Sequence, residues 1–120
     1  MECIFCKIVD GLFPSYTIYE DNILKIFLDI NPDSNGHVLI VPKKHITNID
    51  DMDIYTWGYL LDAIKKIKKK LEDKLLIDGL TIIENNGDVQ EVKHFHIHLK
   101  PFYNNKNSLI EVSKIYDILK

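Results

Sequence analysis

Three of the five histidines in this 120-residue chain fall within five positions, His94-Phe95-His96-Ile97-His98. In a strand, alternate side chains share a face, so these imidazoles would stand about 7 Å apart while Phe95, Ile97 and Leu99 point the other way. The apolar face can pack, which leaves an imidazole face for chemistry. An unperturbed pKa of about 6.5 keeps much of a histidine population neutral and nucleophilic at neutral pH, while a neighbouring ring can still donate a proton. The plain alternative is a surface strand with chance histidines, and their clustering on one face argues against it. Cys3 and Cys6 supply half of a tetrahedral zinc set, since thiolate plus imidazole ligation is usual for structural zinc. Free thiols and a redox pair remain open, although redox use needs a strand-to-helix junction and no strand can precede residue 3.

These residues need elements to position them. Thr17–Glu20 and Ile23–Leu28 are rich in strand formers around the turn pair Asp21-Asn22, which reads as a hairpin. After the breaker stretch Asn31–Gly36, the run His37–Val41 is too short for a helix and is closed by Pro42, so it should be a buried third strand. From Asp50 the period becomes helical, with Trp57, Leu60, Leu61, Ile64, Ile67, Leu71 and Leu75 in one stripe. Asp50 and Asp53 stand at capping-box spacing, and Ile49 can staple to Ile54. Met52, Tyr55, Tyr59 and Ala63 extend the apolar arc beyond what one sheet covers, which points either to a second surface that buries it, as in a homodimer, or to a wet margin with the Tyr55 and Tyr59 hydroxyls in water. Gly79 restarts the chain as strand Leu80–Glu84, and a last strand runs from Val92 to about Lys100. A short helix can begin at Ser108, with Glu111 three residues on and a stripe of Leu109, Val112, Tyr116 and Leu119. Hairpin strands with one long helix inserted give an α+β fold on an antiparallel sheet.

One domain over 1–120 suits this length, with a core over about 3–102 and a variable tail over 103–120. A net charge of −3 argues against a nucleic-acid partner held by bulk electrostatics and favours a small target. The start Met1-Glu2-Cys3-Ile4 lacks a basic region followed by an apolar run, and no stretch approaches the ~20 apolar residues that span a bilayer. We therefore expect a cytoplasmic protein without a membrane partner. The run Lys65–Lys70 mostly flanks the apolar stripe and reads as a solvated face.

The order of Cys-x-x-Cys, Phe27-Leu28-Asp29-Ile30-Asn31-Pro32, Gly36-His37-Val38-Leu39-Ile40-Val41-Pro42-Lys43-Lys44-His45, Asn85 through Gly87, and His-φ-His-φ-His closely resembles the histidine triad family of nucleotide hydrolases and transferases. The likeness extends from Cys3 to about Phe102. It implies a five-stranded antiparallel sheet with one long helix and short terminal helices, joined in a dimer as one ten-stranded sheet. It also implies attack on a purine nucleotide's α-phosphorus through a nucleotidyl-histidine intermediate. Carried over by position, the resemblance makes His96 the nucleophile, places His98 near the phosphate and leaving group, and adds His37 to the imidazole relay. Asn85 and Gln90 would hold phosphate oxygens and Asp29 the ribose hydroxyls, with Phe5, Ile8, Phe27 and Ile30 lining the base pocket. In zinc-containing members, positions matching Cys3, Cys6, His45 and His94 hold a structural zinc.

Without the resemblance these residues have simpler readings. Asp29 could end a strand, Asn85 could belong to a turn, and Phe5, Ile8, Phe27 and Ile30 could be plain core. Three positions depart from the family pattern. The stretch Gly87–Gln90 is about two residues short and lacks the glycine before the glutamine. Lys100 replaces an apolar residue of the triad signature, and Glu91 stands where some branches carry a serine. The shortened stretch favours an alternative, a nucleotide-binding regulatory module with negligible turnover. A third possibility is a catalytic metal held by His94, His96 and His98.

Overall fold

In the computed structural model, which describes residues 3–105 and 107–120, the sheet is assembled around its most apolar segments. Strands β1 (Thr17–Glu20), β2 (Leu24–Leu28) and β3 (Val38–Pro42) are followed by β4 (Gly79–Glu84) and β5 (Ile97–Phe102). All pairs are antiparallel, in the order β1-β2-β3-β5-β4. Every residue of β2 and β3 is buried, as expected for central strands covered on both faces. Asp21 fixes the first turn, its Oδ1 accepting the Ile23 and Leu24 amides at 2.7 and 2.9 Å. The Tyr19 and Tyr59 hydroxyls donate to its Oδ2. Against the upward pull of burial, these four donors hold its carboxyl at about 2, and Tyr59 thereby ties the hairpin to the long helix.

That helix, α2 (Ile54–Leu75), is capped by Asp53, whose carboxylate accepts the Thr56 amide at 2.7 Å. The Asp50 start is thus corrected by four residues. Asn48 instead caps a separate 3-10 turn over Ile49–Asp51, and Met52 then leaves with extended backbone. No staple forms, because Ile54 projects into solvent. The buried stripe is Thr56, Leu60, Ala63, Ile64, Ile67 and Leu71; each large member contributes roughly 1.5–3 kcal/mol. Trp57 and Leu61 fall outside it and remain part-exposed, with Trp57 edge-on to Phe95 at a centroid distance of 6.4 Å. Ala63 belongs to the core and Met52 packs against it, so the uncovered apolar arc consists of Ile54, Tyr55, Trp57, Tyr59 and Leu61.

The last strand also starts later than its sequence suggests. Pairing with β3 ends at Ile40↔Ile97, where β3 runs out at Pro42, which has no N–H to offer a ladder. Residues 94–95 bond instead to the Pro42 and Ile46 carbonyls. The alternation nevertheless persists, with Phe95, Ile97 and Leu99 all in the main core.

Helix α1 (Ile4–Val9) is held by a buried lysine, Lys25 of β2, whose Nζ donates to the Ile8 carbonyl at 2.8 Å. Phe5 and Ile8 thereby seat in a second apolar cluster with Phe27, Leu39 and Val41. Helix α3 (Val112–Leu119) begins after Glu111 rather than at Ser108, and Leu109 is exposed. The preceding tail is pinned by Asn35, whose amide donates to the Ser108 carbonyl and whose Oδ1 accepts the Ile110 amide. Gly36 follows with φ of +88°, and a Cβ there would lie 2.6 Å from Leu75 Cδ1. Glycine is therefore required at the turn that delivers His37 to β3.

Candidate functional site

Two clusters form where α1, the 29–37 loop and the segment entering β5 converge. In the first, Cys3 Sγ lies 3.3 Å and Cys6 Sγ 3.4 Å from His94 Nδ1, and Cys6 Sγ lies 3.1 Å from His45 Nδ1. All four ligand atoms lie within 4.8 Å of one another. Donors around a tetrahedral zinc are separated by about 3.3–3.8 Å, given zinc bonds of about 2.0–2.3 Å, so the spacing fits. The His94 ring is also correctly protonated for this role. Its Nε2–H donates to the Pro42 carbonyl at 2.8 Å, which leaves the Nδ1 lone pair for a metal. Burial, and then the adjacent Cys3 thiol, push the Cys6 thiol up to about 11, an effect that a divalent cation between them would reverse. Both cysteines are unbridged.

The second cluster lines an open cleft of about 710 Å³ between α1 and the sheet. One end carries Phe5, Ile8, Phe27 and Ile30, and Asp29, Asn85, His37, His96 and His98 line the remainder. Phe5 stands edge-on to His96 at 4.9 Å and to His94 at 6.2 Å. The three neighbouring histidines therefore divide their work: His94 turns to the sulfurs, while His96 and His98 face the cleft. Only His98 belongs to the β5 strand.

Hydrogen-bond partners assign the tautomers. His96 Nδ1 lies 2.7 Å from the His94 carbonyl, which can only accept, so Nδ1 carries the proton and Nε2 the lone pair. The Asp33 amide donates to His37 Nδ1 at 3.1 Å, which puts His37's proton on Nε2. That proton points to His98 Nδ1, 2.9 Å away, leaving His98 Nε2–H as a donor. Asp29 Oδ2 stands 3.6 Å from His37 Nε2. Burial lowers the pKa of His37 despite Asp29. Burial, then His96 and His37, lower that of His98 to about 4. Both rings are therefore neutral at pH 7, and the relay carries hydrogen bonds without charge.

Asp29, His37 and His98 also offer three ligand atoms within 4.8 Å. They suit a metal poorly, because a metal on His37 Nε2 would force the proton onto Nδ1, against the Asp33 amide. His94, His96 and His98 likewise do not gather around one point, which removes the triad as a catalytic metal site.

The expected base-pocket residues, Asp29 and Asn85 come together in the cleft. Gln90 does not. It is only 3% exposed, its Nε2 donates to the Thr47 carbonyl at 2.6 Å, and the cleft is lined instead by its neighbour Glu91. Gln90 closes the short 3-10 turn Gly87–Val89, its backbone N–H donating to the Gly87 carbonyl at 2.9 Å. Asp33 and Lys100, also in the cleft, escaped sequence reasoning. Asp33 lies in a stretch of turn residues that gives no signal of a site, and Lys100 stood out only as a departure from the triad signature, with no role attached to it.

Comparison with known proteins agrees with this geometry. The family model described as HIT domain matches residues 11–105. A HIT-like protein of Methanocaldococcus jannaschii is 42% identical, the match covering 97% of this chain and 91% of that protein. Adenosine 5'-monophosphoramidase of Saccharomyces cerevisiae is 39% identical over 90% of this chain and 67% of its own. The crystal structure of a zinc-bound histidine triad family protein from Mycobacterium smegmatis superposes with a TM-score of 0.89 at 31% identity, covering 99% of this chain and 91% of that one.

Proposed function

Because this chain belongs to the HIT domain family, we propose that it hydrolyses purine nucleotides at the α-phosphorus, with nucleoside phosphoramidates or related AMP- and GMP-linked compounds as substrates. The observation that carries this reading is the His96 hydrogen bond, since committing Nδ1–H to the His94 carbonyl leaves Nε2 as the ring nitrogen available to attack in the cleft. The base would sit among Phe5, Ile8, Phe27 and Ile30, the ribose hydroxyls on Asp29, and the phosphate between Asn85 and the His98 Nε2–H.

In the first step a His96 Nε2–phosphorus bond forms as the bond to the leaving group breaks. The leaving group keeps the electron pair and takes a proton from solvent water in the open cleft. Water then attacks the nucleotidyl-histidine, its oxygen bonding to phosphorus as the His96 Nε2–phosphorus bond breaks; its proton returns to solvent, the mononucleotide is released and His96 regains its lone pair. Two displacements replace one difficult step, and uncharged donors around the phosphate stabilise its spreading charge. His94, His45, Cys3 and Cys6 would hold a structural zinc that fixes α1 to the segment bearing the nucleophile. We propose further that the protein is a homodimer, supported by the uncovered face of α2 and by β4, an edge strand of the sheet.

The buried amide of Gln90 favours a second reading, a nucleotide-binding module with negligible turnover. Turnover of adenosine phosphoramidate separates the two. The wild-type protein is expected to release AMP, and His96→Ala to lose at least about a thousandfold in rate, or ~4 kcal/mol. AMP affinity should stay within about tenfold. A His96 variant keeping a tenth of the wild-type rate would refute the mechanism, whereas AMP binding without wild-type turnover would establish the module.

A further inference from the structure

Lys100 breaks the apolar character of β5, and its neighbours show what it does there. The burial alternation of β5 puts Ile97, Leu99 and Pro101 in the core, with His98 and Lys100 half-buried on the cleft face. Lys100 Nζ lies 2.6 Å from Asp33 Oδ2. The backbone amide of the same Asp33 donates to His37 Nδ1 at 3.1 Å, and His37 Nε2 meets His98 Nδ1 at 2.9 Å. One continuous chain thus leads from a strand lysine to the ring that faces the phosphate.

We propose that Lys100 is a positioning residue which, by tethering Asp33, holds its backbone amide on His37 and so keeps His37 in the tautomer that donates to His98. The Asp33 side chain is otherwise largely exposed, and the lysine adds a side-chain tether to a loop that is also held by the His37 amide on the Ser34 carbonyl. A free amide would let His37 shift its proton to Nδ1, leaving two lone pairs facing each other across the His37–His98 contact.

The charge of Lys100 adds a signature. His37 is faced by Asp29 and Asp33 from the loop and by Lys100 from β5, and His98 by His96, His37, Lys100 and Asp29. A cation there disfavours the imidazolium, so its removal raises both histidines and moves the acid limb of activity to higher pH. Removing the Asp33 carboxylate instead leaves the cation unpaired and moves that limb to lower pH.

The kinetic part of the test rests on the hydrolase reading, and nitrogen NMR of the imidazoles does not. In wild-type protein His37 is expected as the Nε2–H tautomer. Lys100→Met should give a mixture of tautomers, a fall of about tenfold in kcat with KM within about threefold, and an acid limb about half a unit higher. Lys100→Arg should restore all three. Asp33→Asn, at an exposed side chain, should lower kcat similarly while shifting the limb downward. An unchanged His37 tautomer and kcat in Lys100→Met would overturn the proposal, as would limbs moving the same way in both variants. If wild type shows no turnover, the hydrolase reading fails and the His37 tautomer alone decides. If Lys100→Met does not fold, Asp33→Asn and Lys100→Arg decide.

Discussion

At three of the five histidines a single backbone group decides which nitrogen is free. The Pro42 carbonyl fixes His94 and the His94 carbonyl fixes His96, while the Asp33 amide fixes His37. Two of these constraints are serial, since His94 is a candidate zinc ligand whose own carbonyl sets the tautomer of His96, the proposed nucleophile. Zinc at Cys3, Cys6, His45 and His94 would therefore anchor the segment whose geometry the chemistry needs. We expect one zinc per chain in protein purified without chelator. Its removal should cost roughly 3 kcal/mol or more, a fall of about 10 °C in Tm by calorimetry. Metal analysis finding no stoichiometric zinc would remove the assignment. Residue identity made part of this legible: Cys-x-x-Cys and the histidine alternation named Cys3, Cys6, His94, His96 and His98, while the roles of His37 and His45 came from the family resemblance. The tautomers were not legible, because they depend on the Pro42 and His94 carbonyls and the Asp33 amide, whose directions only the folded backbone sets. Gln90 misled for the same reason, its side chain following a backbone turn that residue type does not encode.

Among the elements, α2 shows where periodicity suffices and where it fails. The residues Leu60, Ile64, Ile67 and Leu71 were readable as one buried face, but the start was not, because Asn48, Asp50 and Asp53 are all capable caps. Its end is concealed differently. Leu76 adopts φ of 53° and ψ of 46°, a left-handed conformation in which a side chain is unfavourable and glycine usual. Since Leu76 is 76% exposed, replacing it should cost little packing. Leu76→Gly is expected to stabilise the protein by ~0.5–1 kcal/mol, read as a higher urea midpoint at unchanged slope. A destabilised variant would mean that Leu76 makes contacts through its side chain, most directly in an assembly.

For the whole molecule, one sheet covers only one side of α2. Ile54, Tyr55, Trp57, Tyr59 and Leu61 leave its first half apolar on the outer side, and a Cβ added at Gly58 among them would meet nothing within 4 Å. A second copy could approach closely there. Light scattering at micromolar concentration should report twice the 14.0 kDa chain mass. Tyr55→Glu with Leu61→Glu should shift it toward monomer by burying charge; Tyr59 is spared because it holds Asp21. A wild-type protein that stays monomeric would contradict the proposal. The sheet's membership was evident from strand-forming runs and turn residues. The pairing that inserts β5 between β3 and β4 follows from long-range burial, to which local pattern is blind. Among the described residues, no helix is long and apolar enough to cross a membrane.

The contact between Trp57 and Phe95 has a spectroscopic consequence. Trp57 is the chain's single tryptophan, and the ring it touches belongs to the residue between His94 and His96. Any event that moves that segment, whether loss of an ion from His94 or a nucleotidyl group arriving on His96, alters the environment of one indole. The protein thus carries a native, label-free fluorophore beside its histidine cluster, through which occupancy of the proposed site can be followed in a stopped-flow instrument without modifying the chain.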